Sequence, residues 1–515
     1  MYRCCLVLLL MTITLGLFGG ALNAQSPAGT LRVAIQGEPL GLNLILTPSA
    51  ETYQILMYNV VEPLLRYTED GQLVPLLAAG YEVEETETGA QYTFRLRSGV
   101  KFHTGETLTA EAVRYTFDRL LDPAVASPNA APFAFLREVV VLDELTVRFV
   151  TDGKASPLLG YLASGKGTGI IPVGSGMEAL RTHPIGTGPF EFDEWVPGDH
   201  ISLDRNPNYW RQGLPRLDKV IIKFIPDQAV SLAALLAGDV DLVDKMVAES
   251  AKQLEGDPRF KVVAGLMNVP QLLAMNNARA PFDNVLVRRA VSYAVDRAEI
   301  IAGTVGRVQW GSPIGSHMGP LNPYYVDLVP MYPHDPARAR QLLTQAGYPD
   351  GFETKIYLPQ PFEFHIHTGE IVADQLREVG IRCQLEVLEW GQWIERVYKQ
   401  WDYDMTVIGD DQGIEPAVNF TKPFEQVDKA GRSTYYFQYT NPFLRRLLVQ
   451  GRDTFDVEKR KVIYAMVQTI IASDAVAVWI QDIPQFEAMR AQVMGYRQLP
   501  IYVLDLAPIH LENQP

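Results

Sequence analysis

YTFRLRSGVKFHTGETLTAEAVRYTFDRLLDP, residues 92–123, holds three patterns in succession. Tyr92, Phe94 and Leu96 alternate with polar residues and so share one face of a strand. Gly99 and Gly105 punctuate turns, and Thr109 stands where a helix N-cap belongs. Val113, Phe117, Leu120 and Leu121 then recur at helical spacing until Pro123. The stretch therefore predicts strand, turn and helix. His103, Glu106 and Glu111 invite a catalytic or metal reading, but a strand–turn–helix spreads such side chains apart instead of converging them. Their expected role is structural.

The same alternation of strand and helix runs outward from this stretch. TLRVAI at 30–35 reads as a first strand, 52–65 has a helical apolar spacing, and 91–97 alternates as a strand. The expected class is α/β. A chain of 515 residues with 47% hydrophobic content exceeds what one core holds, so two or three packed units are expected. The formal charge is −15 and the basic residues form no run or stripe, which argues against a nucleic-acid partner.

The chain opens MYRCCLVLLLMTITLGLFGGALNAQSP: one arginine, an apolar run over 6–18, then small residues leading to Ala24. That order is a secretory leader, cleaved after Ala24 or after Ala21, and its apolar run is shorter than the ~20 residues a bilayer span needs. No cysteine follows the run to carry a lipid. The three cysteines stand at 4, 5 and 383, so removal of the leader leaves Cys383 alone and no intrachain disulfide. An exported protein without a spanning segment is the expectation.

Other motifs supply little chemistry. GYLASGKG at 160–167 has the spacing of a phosphate loop, but Gly167 replaces the Ser or Thr that would hold magnesium. His365 and His367 have strand spacing without nearby further ligands and read as a surface pair. No GxSxG elbow occurs. No catalytic residue, metal or cofactor is assigned. Trp310, in the Gly- and Pro-rich GRVQWGSPIG at 306–315, either lines a pocket or anchors a surface loop.

Three blocks carry a resemblance. The first is YNVVEPLLRY at 58–67, LVPLLAAGYEV at 73–83 and the opening stretch; the second is PIGTGPFEFDEWVPGDHISLDRNPNYW at 184–210 with LDKVIIKFIPDQAVSLAALLAGDVDLV at 217–243. The third is APFDNVLVRRAVSYAVDRAEII at 280–301 with DPARARQLLTQAGYPDG at 335–351, and YTNPFLRRLL at 439–448 follows in order. Together they resemble the extracytoplasmic solute-binding proteins of family 5, the peptide- and nickel-type receptors of ABC importers. The resemblance implies a periplasmic-binding-protein-like fold of type II: two α/β lobes joined by two crossings, with an extra domain in the first lobe. By analogy lobe I takes 25–50, 185–268 and 490–515, the inserted domain takes 51–184, and lobe II takes 269–489.

The implied function is a monomeric periplasmic receptor. It would capture a peptide or related amine-bearing solute by lobe closure and deliver it to permease subunits in the inner membrane. A non-peptide solute (an oligosaccharide, an opine, or a nickel or haem complex involving His317, His365 and His367) is the alternative, and a hydrolase on the same fold is the alternative of another class. Peptide-binding members hold the ligand's amino terminus with an aspartate a few positions before an acidic–Pro pair. VIGDDQGIEP at 407–416 resembles that segment, displaced by one residue: Gln412 falls where the aspartate is expected. Asp411 is the first candidate and Asp410 the second, beside the reading of the segment as a polar turn. Dipeptide-binding members place an arginine before a proline to clamp the ligand's carboxylate; Gln360 occupies that place here and cannot form the ion pair. Tyr53, by family position, and Trp390, near Trp393 at a helix start, complete the expected ligand-binding set.

Overall fold

In the computed structural model, residues 29–360 and 362–512 are described. The leader and its alternative cleavage points lie outside them. One sheet organises the chain. Strand β1 (Thr30–Ile35) pairs in parallel with β10 (Lys219–Phe224) and β11 (Leu242–Met246), and β9 (His200–Arg205) and β8 (Phe190–Val196) continue the sheet antiparallel to its edge. On the other side of β11 runs β17 (Ala477–Arg490), then β12 (Phe260–Met275), each antiparallel to its neighbour. Beyond β12 come β16 (Met405–Gly409), β14 (Phe352–Pro359) and β15 (Ile381–Leu388), the last three mutually parallel. The short β13 (Ser312–Pro313) adds to β17.

β12 and β17 run through both halves of this sheet. Phe260 to Leu266 pair with β17 residues Pro484 to Arg490, and Pro270 to Ala274 pair with Ala477 to Asp482. Between those stretches the ladder shifts register, and Asn268 adopts φ 56°, a left-handed conformation that asparagine tolerates better than most residues. The buried Asp482 spans the gap: its carboxylate accepts the Val269 amide at 2.8 Å while Oδ2 has no partner. Burial pushes this carboxyl up to about 7, against backbone N–H groups that pull it down. A carboxyl raised above its unfolded value of about 3.9 stabilises the fold at low pH, and that contribution is lost as pH rises through about 7. Asp482→Asn, which retains an acceptor for Val269, is thus expected to narrow the Tm difference between pH 5 and pH 8; an unchanged difference would refute this.

A separate four-stranded antiparallel sheet, ordered β4 (Ala78–Glu85), β5 (Gly89–Leu96), β7 (Thr146–Asp152) and β6 (Leu136–Asp143), takes most of β5 from the opening stretch. Tyr92, Phe94 and Phe149 are buried under the helix Ala110–Leu121, whose Val113, Phe117 and Leu120 face them. Thr109 occupies the N-cap position without making a side-chain capping bond. His103 contributes a contact from Nε2 to the Gly188 carbonyl at 3.1 Å, and Glu111 pairs with Arg114 on the helix surface. Beside this sheet stands the hairpin β2 (Leu65–Tyr67) and β3 (Leu73–Pro75).

Two expectations from spacing need correction. The helix expected over 52–65 is Ala50–Leu56; Tyr58 turns to φ 66° and Pro63 disfavours helical backbone at the residue before it. His365 and His367 lie on the helix Glu363–Glu378, where an i, i+2 pair points to different sides. His365 is buried against Gln271 at 2.9 Å and His367 is exposed, so they are no surface pair. The glycines of the PIGTGPF block have a steric reason: a Cβ on Gly186 would stand 2.2 Å from the Val60 carbonyl oxygen, and one on Gly188 2.3 Å from that of Asn59.

Candidate functional site

Strand direction locates the site. β11 points the way β12 travels from the first half of the sheet into the second, whereas β16 points back along it. The carboxyl ends of β1, β10 and β11 therefore face the carboxyl ends of β14, β15 and β16. Loops after such ends form the crevice in which open α/β sheets bind ligands. From the first half this crevice receives Lys245, near the end of β11; from the second it receives Gln360 after β14, Trp390 after β15 and Asp411 after β16.

Asp411 is exposed and makes no hydrogen bond or ion pair among the described residues. Its carboxylate is one of the charges acting on Lys245 across the crevice. Burial lowers the Lys245 ammonium to about 8, opposed by Asp244, Glu51, Glu487 and Asp411. Lys245 has φ 56° at an irregularity of β11, its Nζ has no hydrogen-bond partner, and it lies over the Tyr502 ring. Trp390 is 37% exposed, stacks on buried Trp393 with ring centres 5.2 Å apart, and meets Phe362 edge-on at 5.2 Å. Gln360 is exposed beside Phe362, tied by its backbone amide to the Leu388 carbonyl at 2.8 Å.

The other expected ligand residues turn inward. Asp410 accepts hydrogen bonds from the Tyr436 hydroxyl at 2.9 Å and the Tyr435 hydroxyl at 3.2 Å, and burial pushes its carboxyl up to about 6. Gln412 is buried and donates to the His317 carbonyl at 3.0 Å. Tyr53 is buried with its hydroxyl on the Thr47 carbonyl at 3.2 Å, and its phenol is pushed far up by burial. Trp310 is half-buried against Phe486, 5.0 Å between ring centres, with the Arg307 guanidinium over it. His317 is enclosed by Phe420, Phe424, Phe437 and Trp479, and burial lowers it to about 3. Three such separately placed histidines do not converge, and no group of three or more His, Cys, Asp or Glu with metal-holding geometry occurs among the described residues.

Residues 72–431 match the family described as bacterial extracellular solute-binding proteins, family 5. The chain belongs to that family. The whole of this solute-binding protein resembles known members, as the sequence blocks implied. It is 28% identical over 500 residues to "Heme-binding protein A" of Haemophilus influenzae, covering 90% of this chain and 88% of the relative. It is 26% identical over 530 residues to "Di/tripeptide-binding protein 2" of Pseudomonas aeruginosa, covering 96% and 97%. Its fold superposes with a TM-score of 0.84 and 25% identity on the ABC transporter substrate-binding protein CtaP of Listeria monocytogenes, over 94% of this chain and 99% of that one. The fold is accordingly the two-lobed α/β binding-protein type, and family members are extracytoplasmic binding proteins.

In this solute-binding protein the acidic–Pro pair has a structural task. Glu415 caps the helix Pro416–Phe424 by accepting the Ala417 amide at 3.1 Å, and its carboxylate pairs with Arg460 at 2.5 Å, the two side chains being 7% and 6% exposed. Arg460 also donates to the Tyr324 hydroxyl at 3.0 Å. Burial alone would lower the Arg460 guanidinium, but the Glu415 carboxylate more than reverses this. Lys245 and Arg460 were not among the expected residues. An aspartate–lysine pair in the LVDKM strand is the local signal that could have pointed to the first; nothing local points to the second. No helix among the described residues is long and apolar enough to cross a membrane.

Proposed function

We propose that this protein captures a peptide, or a related amine-bearing solute, between its two lobes and delivers it to the permease of an ABC importer. The observation that carries the reading is Asp411: an exposed carboxylate just past the carboxyl end of β16, without a hydrogen-bond or ion-pair partner among the described residues, and near enough to Lys245 to act on its charge. A carboxylate accepts from a primary ammonium, and closure would desolvate that contact and strengthen it. Trp390 and Phe362 offer apolar surface beside it for a side chain. Similarity to a di/tripeptide-binding protein supports the peptide class. Neutral Gln360, with no cation in the place of the dipeptide clamp, favours a longer peptide or another solute over strict dipeptide capture.

On this reading the protein is exported to the periplasm with its leader removed, works as a monomer, and performs no reaction on its ligand. The lobes meet where the β12–β17 ladder is interrupted, near 266–270 and 482–484. Ligand favours the closed form because only closure presents both faces to it at once. Native mass spectrometry of the mature protein, purified without denaturation, tests the proposal. A ladder of co-purifying peptide masses is expected; a single non-peptide mass would overturn the peptide reading in favour of the similarity to a haem-binding relative.

A further inference from the structure

A further cavity lies between the β2–β3 hairpin, the end of β5 and the carboxyl-terminal stretch. Its volume is about 560 Å³, within the range of small-molecule pockets. Arg66, Arg97, Arg211 and Arg497 line it together with Trp210, whereas the only carboxylates in the lining are Glu69 and Asp505. Those two are already engaged: Asp505 pairs with Arg66 at 2.7 Å and Glu69 with Arg497 at 2.7 Å. Arg97 and Arg211 pair with no carboxylate among the described residues.

The remaining two guanidinium groups are held by a fixed plane. The Trp210 indole N–H donates to the buried Glu62 at 2.9 Å, which pins the ring, and Arg97 and Arg211 stand 5.1 and 5.9 Å from its centre. Arg97 is further fixed by its Nε on the Leu76 carbonyl at 2.6 Å, a bond that leaves its terminal nitrogens available. Glu62 does not neutralise this pair by contact; its oxygens go to Thr187, Tyr209 and Trp210. Two guanidinium groups without a direct carboxylate partner, Arg97 fixed by its backbone bond and Arg211 within electrostatic reach of the buried Glu62, stand together in a concave site, the arrangement that a small anion with planar acceptor groups requires.

We propose that this cavity binds a small polyanion bearing two or more carboxylate or phosphate groups, gripped by Arg97 and Arg211 against Trp210. None of the crevice residues Lys245, Gln360, Trp390 and Asp411 lines it, so it offers a different set of charged groups from those proposed for solute capture, with Leu499 as the wall it shares with the pocket that holds Lys245. Calorimetric titration at low ionic strength with citrate and, separately, pyrophosphate tests this on the whole mature protein. One equivalent of at least one probe should bind, the binding should weaken with added salt, and Arg211→Gln should reduce the affinity about tenfold or more. The probe that binds more tightly distinguishes the carboxylate from the phosphate source. Arg97→Gln serves as a second variant, with circular dichroism to confirm folding because Arg97 also bonds the backbone. Asp411→Asn should leave the affinity unchanged. Failure of both probes to bind at millimolar concentration, or binding indifferent to both arginine variants or abolished by Asp411→Asn, would overturn the proposal.

Discussion

Arg460→Met is expected to lower the unfolding free energy by about 3–5 kcal/mol, read as a fall in the urea midpoint with little change in slope. The reason is an orphaned charge. Glu415 lies in a seam: the backbone of Gly160 approaches so closely that a Cβ there would sit 2.7 Å from the Glu415 Cβ, and neighbouring Ile414 packs into the core beneath the four-stranded sheet. With the guanidinium gone, the buried carboxylate is left in a low dielectric without its partner charge. Glu415→Gln in the same background should return much of the loss, because removing both charges costs far less than removing one. It will not return all of it, since a neutral amide at the start of the Pro416–Phe424 helix lacks the carboxylate's attraction to the helix N-terminus, about 0.3–1 kcal/mol. Strictly additive single and double variants would mean that the pair is not coupled.

Asp411→Asn is expected to weaken binding of the co-purified solute by about 30-fold or more, roughly 2 kcal/mol upwards, measured by titration of solute-free protein. The substitution keeps size and acceptor geometry but removes the charge that an ammonium needs. Asp410→Asn is the internal control, because its carboxylate is already occupied by two tyrosine hydroxyls. It should change stability more than affinity. A less than threefold effect of Asp411→Asn would remove Asp411 from the site, and an effect confined to Asp410→Asn would transfer the role to its neighbour.

The strand, turn and helix of 92–123 were legible because their periods are local: alternation for β5, a 3.6-residue stripe for the following helix, and glycines between them. The family blocks were legible by their resemblance to known members, and that resemblance carried the two-lobed fold with it. The site was legible only in part. Gln360, Trp390 and Asp411 each follow the carboxyl end of a strand, β14, β15 and β16, and the sequence marks each of those ends. Asp410 and Gln412 differ from Asp411 by one position each, yet their side chains are committed to Tyr435, Tyr436 and His317, partners between 25 and 95 residues away along the chain. No spacing rule reaches that far. The surroundings of Trp310 were hidden for the same reason: its partner, Phe486, belongs to β17, remote in sequence.

The paired strands β12 and β17 have a mechanical consequence. The two halves of the large sheet are joined by β12 and β17, whose ladder shifts at 266–270, and the seam between Gly160 and Glu415 adds a side-by-side contact to that join. On the proposed reading, bending at that shifted segment is what would bring the two halves together, while the paired strands on either side of it would hold each half's own register.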